Sequence, residues 1–538
     1  YMPKIRTLKK ETLPDKPSCS LDVDRFTTST GRFLRTHRID ELPQIFCVLT
    51  GRMSLVGPRP ELESIANRYN SKHLKRLLAR PGITGLWQIK GSRNKPIHKD
   101  IKYDLYYLRK ASLSLDIKIL LKTIVFVLKT EKKQMKTLAY ITGTYPCRSE
   151  LSIQREISAL ISEGFEIIVF AASGKNINSN THDSVKTYYR PAFFSITSLE
   201  TVFYTFAKRP LWILVFFNLL TKLLFSSPIE ALKSIKNIHT IFFFAGLAQK
   251  LEIDHIHACF FSWPAVLGLH ISALSKKTFS ISAHARDIFV EKGAWKLKTK
   301  HSEFVTCCCK QGYDHLKKLF KSKYHHKLVL NYHGVDTKNN FCKDIIKTPP
   351  ASVELIIACG RLVPKKGFEY LVDAFAKLAA KRPNAFLIIA GDGPQKKHLQ
   401  YLIGKYSIKH QTLLTGWLEQ NSLQKLIANA KALIVPSVIE IDGDRDGIPN
   451  VILEAFNSAT PVIASPLPGI SEAVIHQHTG LLTNPQNTDQ LAQTIERLLT
   501  DRILADSLAR NAKKFAIEKF DVEKNCRKLA TLFEEAGQ

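Results

Sequence analysis

The chain has 538 residues, room for about three domains, and its 45% hydrophobic share is that of a globular protein with sizeable cores. Net charge is +31 and front-loaded: residues 1–135 carry 28 Lys/Arg against 12 Asp/Glu, a net +16. With no RNA- or DNA-binding motif in view, that balance sets nucleic acid aside and points to an anionic membrane surface or phosphorylated substrates. Ten cysteines without paired Cys-x-x-Cys spacing, and no visible signal peptide, indicate a reducing cytoplasm. Among them, Cys307-Cys308-Cys309 reads as buried strand.

At the front, Arg35 and Arg38 lead into Asp40-Glu41-Leu42-Pro43. Asp40 suits the N-cap of a short helix ending near Gly51, with Glu41 and Pro43 in its first turn. An aspartate at a helix mouth near two arginines also suits phosphate chemistry, and the residues alone leave both readings open. Two further stretches follow, Met53-Ser54-Leu55-Val56-Gly57-Pro58-Arg59-Pro60 and Arg80-Pro81-Gly82-Ile83-Thr84-Gly85-Leu86-Trp87-Gln88, then Ser114-Leu115-Asp116. Together these resemble the bacterial monotopic phosphoglycosyl transferases, the polyprenyl-phosphate sugar-1-phosphate transferases, over about residues 2–130. The resemblance implies that Asp40 is the nucleophile and Glu41 its Mg²⁺-binding partner, with Arg35 and Arg59 on phosphate. The implied chemistry is covalent: a carboxylate attacks the β-phosphate of a nucleotide sugar, nucleoside monophosphate leaves, and polyprenyl phosphate takes the phosphosugar. That family carries an N-terminal re-entrant membrane helix, which does not precede Tyr1, so the sequence is expected to be truncated there and front-domain turnover to be low.

Residues 112–128 are mostly apolar, and Lys118, Lys122 and Lys129 share one stripe of a helical wheel, so this helix suits either a membrane interface or a domain core. A charged linker, 129–134, precedes Met135, a possible start of a once-separate gene.

From Thr137 the pattern is α/β: strand Leu138–Ile141, a helix from about Glu150 closed by Gly164, then strand Glu166–Phe170. Leu211–Phe225 is apolar but, at 15 residues, too short to span a bilayer. It reads first as a buried helix and second, with Lys208-Arg209 beside it, as an interfacial one. Ile253–Ala258 and Thr278–Ser282 read as strands, the second ending at His284. His284 is a candidate site residue or a structural strand-end histidine. His333-Gly334-Val335-Asp336 reads as a hinge-side turn, and helices after Asp489 and over Asp521–Ala536 close the chain.

The back half carries the densest motifs. Gly360-Arg361-Leu362-Val363-Pro364-Lys365-Lys366-Gly367 follows the strand Leu355–Ala358, and its cations suit a diphosphate leaving group. Gly391-Asp392-Gly393-Pro394 follows the strand Phe386–Ala390, and Thr415-Gly416 another short run. The strand Ala432–Val435 leads to Asp446-Gly447-Ile448-Pro449-Asn450-Val451-Ile452-Leu453-Glu454, where Pro449 suits a first helical turn and Gly447 a close approach of ligand. These motifs resemble the retaining glycosyltransferases of the large family-four group, from about residue 136 to the end, with Asp446 where that family usually has Glu. The resemblance implies that Asp446 and Glu454 contact the donor, that Gly360, Gly391 and Gly447 line the nucleotide sugar, and that His284 faces the reaction centre. Arg361 and Lys366 would stabilise the departing diphosphate, with no metal required.

The expected fold is α/β: two Rossmann-like domains facing a cleft (GT-B type), residues 136–345 and 346–515, closed by a crossover helix over 516–538 and preceded by a small membrane-associated sugar-transferase domain, 1–130. The expected function is bifunctional polysaccharide assembly, transferring sugar 1-phosphate from a UDP-sugar to undecaprenyl phosphate with Mg²⁺, then a second sugar to the lipid-linked product. The alternative is a glycosyltransferase whose front domain only docks to a membrane or partner. Either way the expected place is the cytoplasmic face of the inner membrane, peripheral or monotopic.

Overall fold

A computed structural model describes residues 44–60, 74–90, 101–129, 137–147, 150–174, 185–291, 293–337 and 353–536. The chain divides into two compact units, Tyr1–Lys133 and Gln134–Gln538.

In the first unit, strands β1 (Ser54–Val56) and β2 (Gly82–Thr84) pair in parallel. A Cβ on Gly57 would lie 2.4 Å from the Arg80 carbonyl oxygen, and one on Gly82 would lie 2.1 Å from the Gly57 nitrogen, so this crossing of backbones excludes any side chain. The buried guanidinium of Arg76 donates to Asp104 at 2.9 Å and to the Arg59 carbonyl at 2.7 Å. Tyr107 donates to Asp116 at 2.8 Å, tying the Ser114-Leu115-Asp116 motif to the helix Lys102–Lys110. Burial and Asp116 push the Tyr107 hydroxyl up to about 12. The helix Leu113–Lys129 leaves Lys118 and Lys122 exposed and buries Ile119 against Val56, Leu86 and Tyr107.

The second unit holds two all-parallel sheets. The first contains β3 (Thr137–Thr144), β4 (Glu166–Ser173), β5 (Lys186–Tyr189), β6 (His255–Ala258), β7 (Thr278–Ala283), β8 (Val305–Cys307) and β9 (Leu328–Leu330), in the order β5-β4-β3-β6-β7-β8-β9. The second contains β10 (Glu354–Cys359), β11 (Ala385–Ala390), β12 (Thr412–Gly416), β13 (Ala432–Val435), β14 (Val462–Ala464) and β15 (Leu481–Leu482), in the order β12-β11-β10-β13-β14-β15. Both orders reverse beside their first strand, the doubly wound arrangement in which ligands sit beyond the carboxyl ends of the strands. Strands buried on both faces read as near-continuous apolar runs, as Leu355–Ala358 and Leu387–Ala390 do. Helices start where the sequence supplies acceptors: Ser195 takes the Ser198 N–H, Asn487 that of Gln490 and Asp501 that of Leu504.

The last helix, Val522–Ala536, packs on the first sheet's domain, with Leu529, Ala530 and Phe533 in one core with Leu138, Tyr140, Ile153 and Phe304. Phe533 also lies edge-on to His255 and His257. Those two histidines belong to a buried chain in which Thr278, His255, Ser280, His257 and Ser282 follow one another at 2.6–2.9 Å.

Three expectations are corrected. Only Cys307 of the cysteine triplet is strand; Cys309 caps the helix Lys310–Leu319, accepting the Gly312 N–H. Pro449 is the N-cap of the helix Asn450–Asn457, not a residue of its first turn. The segment around Leu211–Phe225 is a helix, Pro210–Ser226, buried on one face only, through Trp212, Phe216, Leu219 and Leu223.

Candidate active site in the cleft

Loops at the carboxyl ends of both sheets meet here. Behind β10, Gly367 has φ +63° and a Cβ on it would lie 2.0 Å from the Pro436 carbonyl oxygen; a Cβ on Gly391 would lie 1.9 Å from that of Gly360. The motif glycines therefore let three loops close on one another, and this draws the lysines of Pro364–Lys366 over the loop behind β13. Lys366 Nζ donates to Asp446 Oδ2 at 2.7 Å, and the Ser437 hydroxyl donates to the same oxygen at 2.7 Å. Lys365 Nζ lies 3.7 Å from Asp446 Oδ1 and donates to Asp444 Oδ1 at 3.0 Å. Burial would raise the Asp446 carboxyl, but the two lysines and Ser437 outweigh it and hold it below the usual carboxylate range.

Glu454, buried in the helix Asn450–Asn457, accepts from Gln420 at 3.0 Å and from Arg155 at 2.5 Å. Arg155 belongs to the other domain, 299 residues away in sequence. Two further contacts cross the cleft: Arg286 donates to Asp444 at 3.0 Å, and Glu472 takes the backbone N–H groups of Lys310 and Gln311 at 2.6 and 2.7 Å, capping that helix from the opposite domain. A cavity of about 420 Å³ opens beside these contacts, lined by Phe289, Lys310, Gln311, Lys318, Arg445 and Glu472, among others.

His284 caps the short helix Ala285–Phe289, whose Asp287 accepts the His284 backbone N–H at 3.2 Å. Its Nε2 lies 3.0 Å from Nε2 of His333, whose burial pushes it down to about 3, so that ring is neutral. Donor atoms of His284, Cys308 and His333 lie within 4.8 Å of one another, the one such grouping of metal-ligating side chains among the described residues. Glu150, raised by burial and lowered by His284 and Arg361, shares this environment.

The structure thus gathers Asp446, Glu454, Lys366, Gly360, Gly391 and Gly447 around one cleft, with a Cβ on Gly447 3.5 Å from Cys309 Sγ. Arg361 is exposed. Arg155, Arg286, Lys365, Asp444 and Glu472 were not singled out from the sequence. Lys365, Asp444 and Arg286 had a signal in adjacency to the motifs or to His284; Arg155 and Glu472 had none. In the front unit Arg59 is exposed, its guanidinium 5.7 Å from the Trp87 ring centre. Asp40, Glu41 and Arg35 lie outside the described residues.

Two segments of the chain match known families. Residues 1–130 match the family described as bacterial sugar transferase, and residues 343–515 match glycosyl transferases group 1. The chain thus joins segments that match two transferase families. Its front segment is 43% identical over 111 residues to an undecaprenyl-phosphate galactose phosphotransferase of Salmonella typhimurium, 21% of this chain and 23% of that one. Its group 1 segment is 29% identical over 183 residues to an alpha-D-kanosaminyltransferase of Streptomyces kanamyceticus, 34% of this chain and 46% of that one. The chain therefore spans less than half the length of either relative. The two-domain transferase half has the fold of HepE from Anabaena, solved with UDP and glucose, at 18% identity and a TM-score of 0.54, over 74% of this chain and 98% of that one.

Proposed function

We propose that residues 136–538 transfer a sugar, with retention, from a nucleotide donor such as a UDP-sugar to a lipid-linked sugar. The observation that carries this is the convergence on one cleft of Lys366 and Asp446, from loops beyond the carboxyl ends of parallel strands, and Glu454, from the helix that follows. Lys366 and Arg361 meet the diphosphate as charge develops on it, Asp446 holds Lys366 in place, and Glu454 takes the donor's hydroxyl groups. His284 faces the sugar from the opposite domain, and this transfer requires no metal.

The front segment, in the same reading, loads sugar 1-phosphate onto undecaprenyl phosphate, with Asp40 as nucleophile and Arg35 and Arg59 on phosphate. Mg²⁺ at Glu41 would offset charge on the diphosphate. Both reactions belong to surface-polysaccharide assembly on the cytoplasmic face of the inner membrane. The similarity to an undecaprenyl-phosphate phosphotransferase supports the lipid carrier, and the fold shared with a protein solved with UDP supports the donor.

The test is transfer of labelled sugar from UDP-sugars to a lipid-linked acceptor by the full chain, followed by mass spectrometry. Glu454→Gln should abolish transfer without loss of fold. Full activity in a folded Glu454→Gln protein removes the assignment.

A further inference from the structure

We propose that residues 193–236 are the face by which the transferase half rests on an anionic phospholipid bilayer. Three helices follow one another here, Ile196–Lys208, Pro210–Ser226 and Pro228–Lys236, with a bend of 104° between the first two. Their outer faces expose Phe203, Leu211, Leu214, Phe217, Ile229 and Leu232, among others. Phe194 and Phe225, 87% and 91% exposed, are the most exposed of the set. The inner face of the second helix already fills the core, so this outer set is surplus to folding. Soluble surfaces scatter single apolar side chains, whereas here three successive helices, the first and third each packed on the second, all expose several.

Charge selects the occupant. The same stretch carries Lys208, Arg209, Lys222, Lys233 and Lys236, all but the half-buried Arg209 exposed, against two acids, Glu200 and Glu230, and Glu230 is neutralised by buried Lys298 at 2.6 Å. Cations edging an apolar face suit lipid headgroups, because each near-surface Lys or Arg favours an anionic leaflet. No single described helix is long and apolar enough to cross a membrane; Ile196–Lys208 and Pro210–Ser226 reach that length only together, across their bend, and the second is anchored in the protein core through Trp212, Phe216, Leu219 and Leu223, which suits a helix lying in the interface. A cavity of about 530 Å³ opens within the patch, walled by Trp212, Phe242, Phe243 and Leu247, with Arg209 and Lys250 among its polar lining and Glu200 opposing them. Arg209 is held there, 4.3 Å from the Trp212 ring centre and donating to Gln249 at 2.5 Å. The cavity suits one acyl chain of a phospholipid whose headgroup phosphate meets Arg209.

The patch is wired to the cleft. Lys298 also donates to the Phe261 carbonyl at 2.8 Å, and the N–H groups of Phe261 and Ser262 donate to Asp287, which holds the His284 turn. A helix resting on lipid thereby fixes the height of His284 above the surface. This linkage to catalysis rests on the transferase reading of the cleft; the docking does not.

Hydrogen–deuterium exchange on the full chain, with and without vesicles of phosphatidylglycerol and phosphatidylcholine, reads the face directly. Amides in 193–236 should slow several-fold with vesicles, less at high salt. A Phe194→Glu/Phe225→Glu protein should lose the protection, whereas Ile503→Glu, altered at an exposed apolar residue elsewhere, should keep it. Unchanged exchange in 193–236, or equal protection without lipid through self-association, overturns the proposal. With sugar transfer as readout, the double variant should lose at least tenfold on a vesicle-embedded acceptor and keep its rate on a short-chain soluble one. Equal rates on both overturn the coupling. No transfer to either acceptor by the unsubstituted chain sinks the transferase reading and leaves the exchange result standing.

Discussion

Lys366 Nζ and Asp446 Oδ2 lie 2.7 Å apart, across two loops 80 residues distant in sequence. The ammonium is therefore held before any donor arrives, and its geometry depends on an acid that need not touch the sugar. Lys366→Met should lower kcat for sugar transfer by about 10²–10³, the loss typical of removing one preorganised charge-stabilising donor. Asp446→Asn should act on the same step through a misplaced Lys366, and the double variant should be little worse than either single one. Steady-state kinetics on the three proteins check this; multiplicative losses would show independent roles. Because the Asp446 carboxyl is held low, its share of stability is present above the ordinary carboxylate range and disappears only as pH falls through the lowered value.

Arg155 and Glu454 tie the two domains at 2.5 Å. Arg155→Met should loosen the closed cleft, seen as a larger radius of gyration in small-angle scattering, and raise KM for the nucleotide sugar more than it lowers kcat. An unchanged scattering profile would show that the pair does not govern closure.

Lys298 is fully buried against Glu230. Removing one partner of such a pair strands the other charge, so Lys298→Met should destabilise the fold by about 3–5 kcal/mol. The double change Lys298→Met/Glu230→Met should recover most of that loss in denaturant titration.

His255, His257 and His270 are buried, and burial holds all three well below the usual histidine range, His255 and His270 at about 3. The unfolded chain protonates them near 6.5, so stability is full above that value and falls as pH drops from 6.5 toward 3. The slope is about 1.4 kcal/mol per pH unit for each histidine. A thermal midpoint flat between pH 6.5 and 4.5 would contradict this.

Gly57 and Gly82 leave no room for a Cβ where their backbones cross. Gly57→Ala should destabilise the front unit, shown by faster amide exchange in residues 44–129. Exchange in residues 353–536 should be unchanged, because the two units are separately compact.

Much of this architecture was legible because it is local. The strands Leu355–Ala358 and Ala432–Val435 announce themselves as apolar runs, and Gly391 and Gly367 sit where loops must touch. Lys366, Asp446 and Glu454 could be named because their motifs are contiguous, and the fold brings the three to one cleft. Arg155 and Glu472 were not, since each acts on a partner in the opposite domain and nothing local distinguishes them from solvated charges. Phe217 and Leu224 misled for the opposite reason: apolar residues in a helix imply burial, and only the packed fold shows which face is left over.

The last helix has a consequence for how the protein is made. Phe533 fills a hole in a core whose other walls, Tyr140, Phe165 and Phe304, emerge from the ribosome far earlier. Domains generally fold as units during synthesis, but this one cannot finish until the helix Val522–Ala536 has been released. A ribosome stalled anywhere in the second sheet's domain leaves the earlier domain with an open apolar seam, so premature termination should yield protein that aggregates rather than a shortened, stable half.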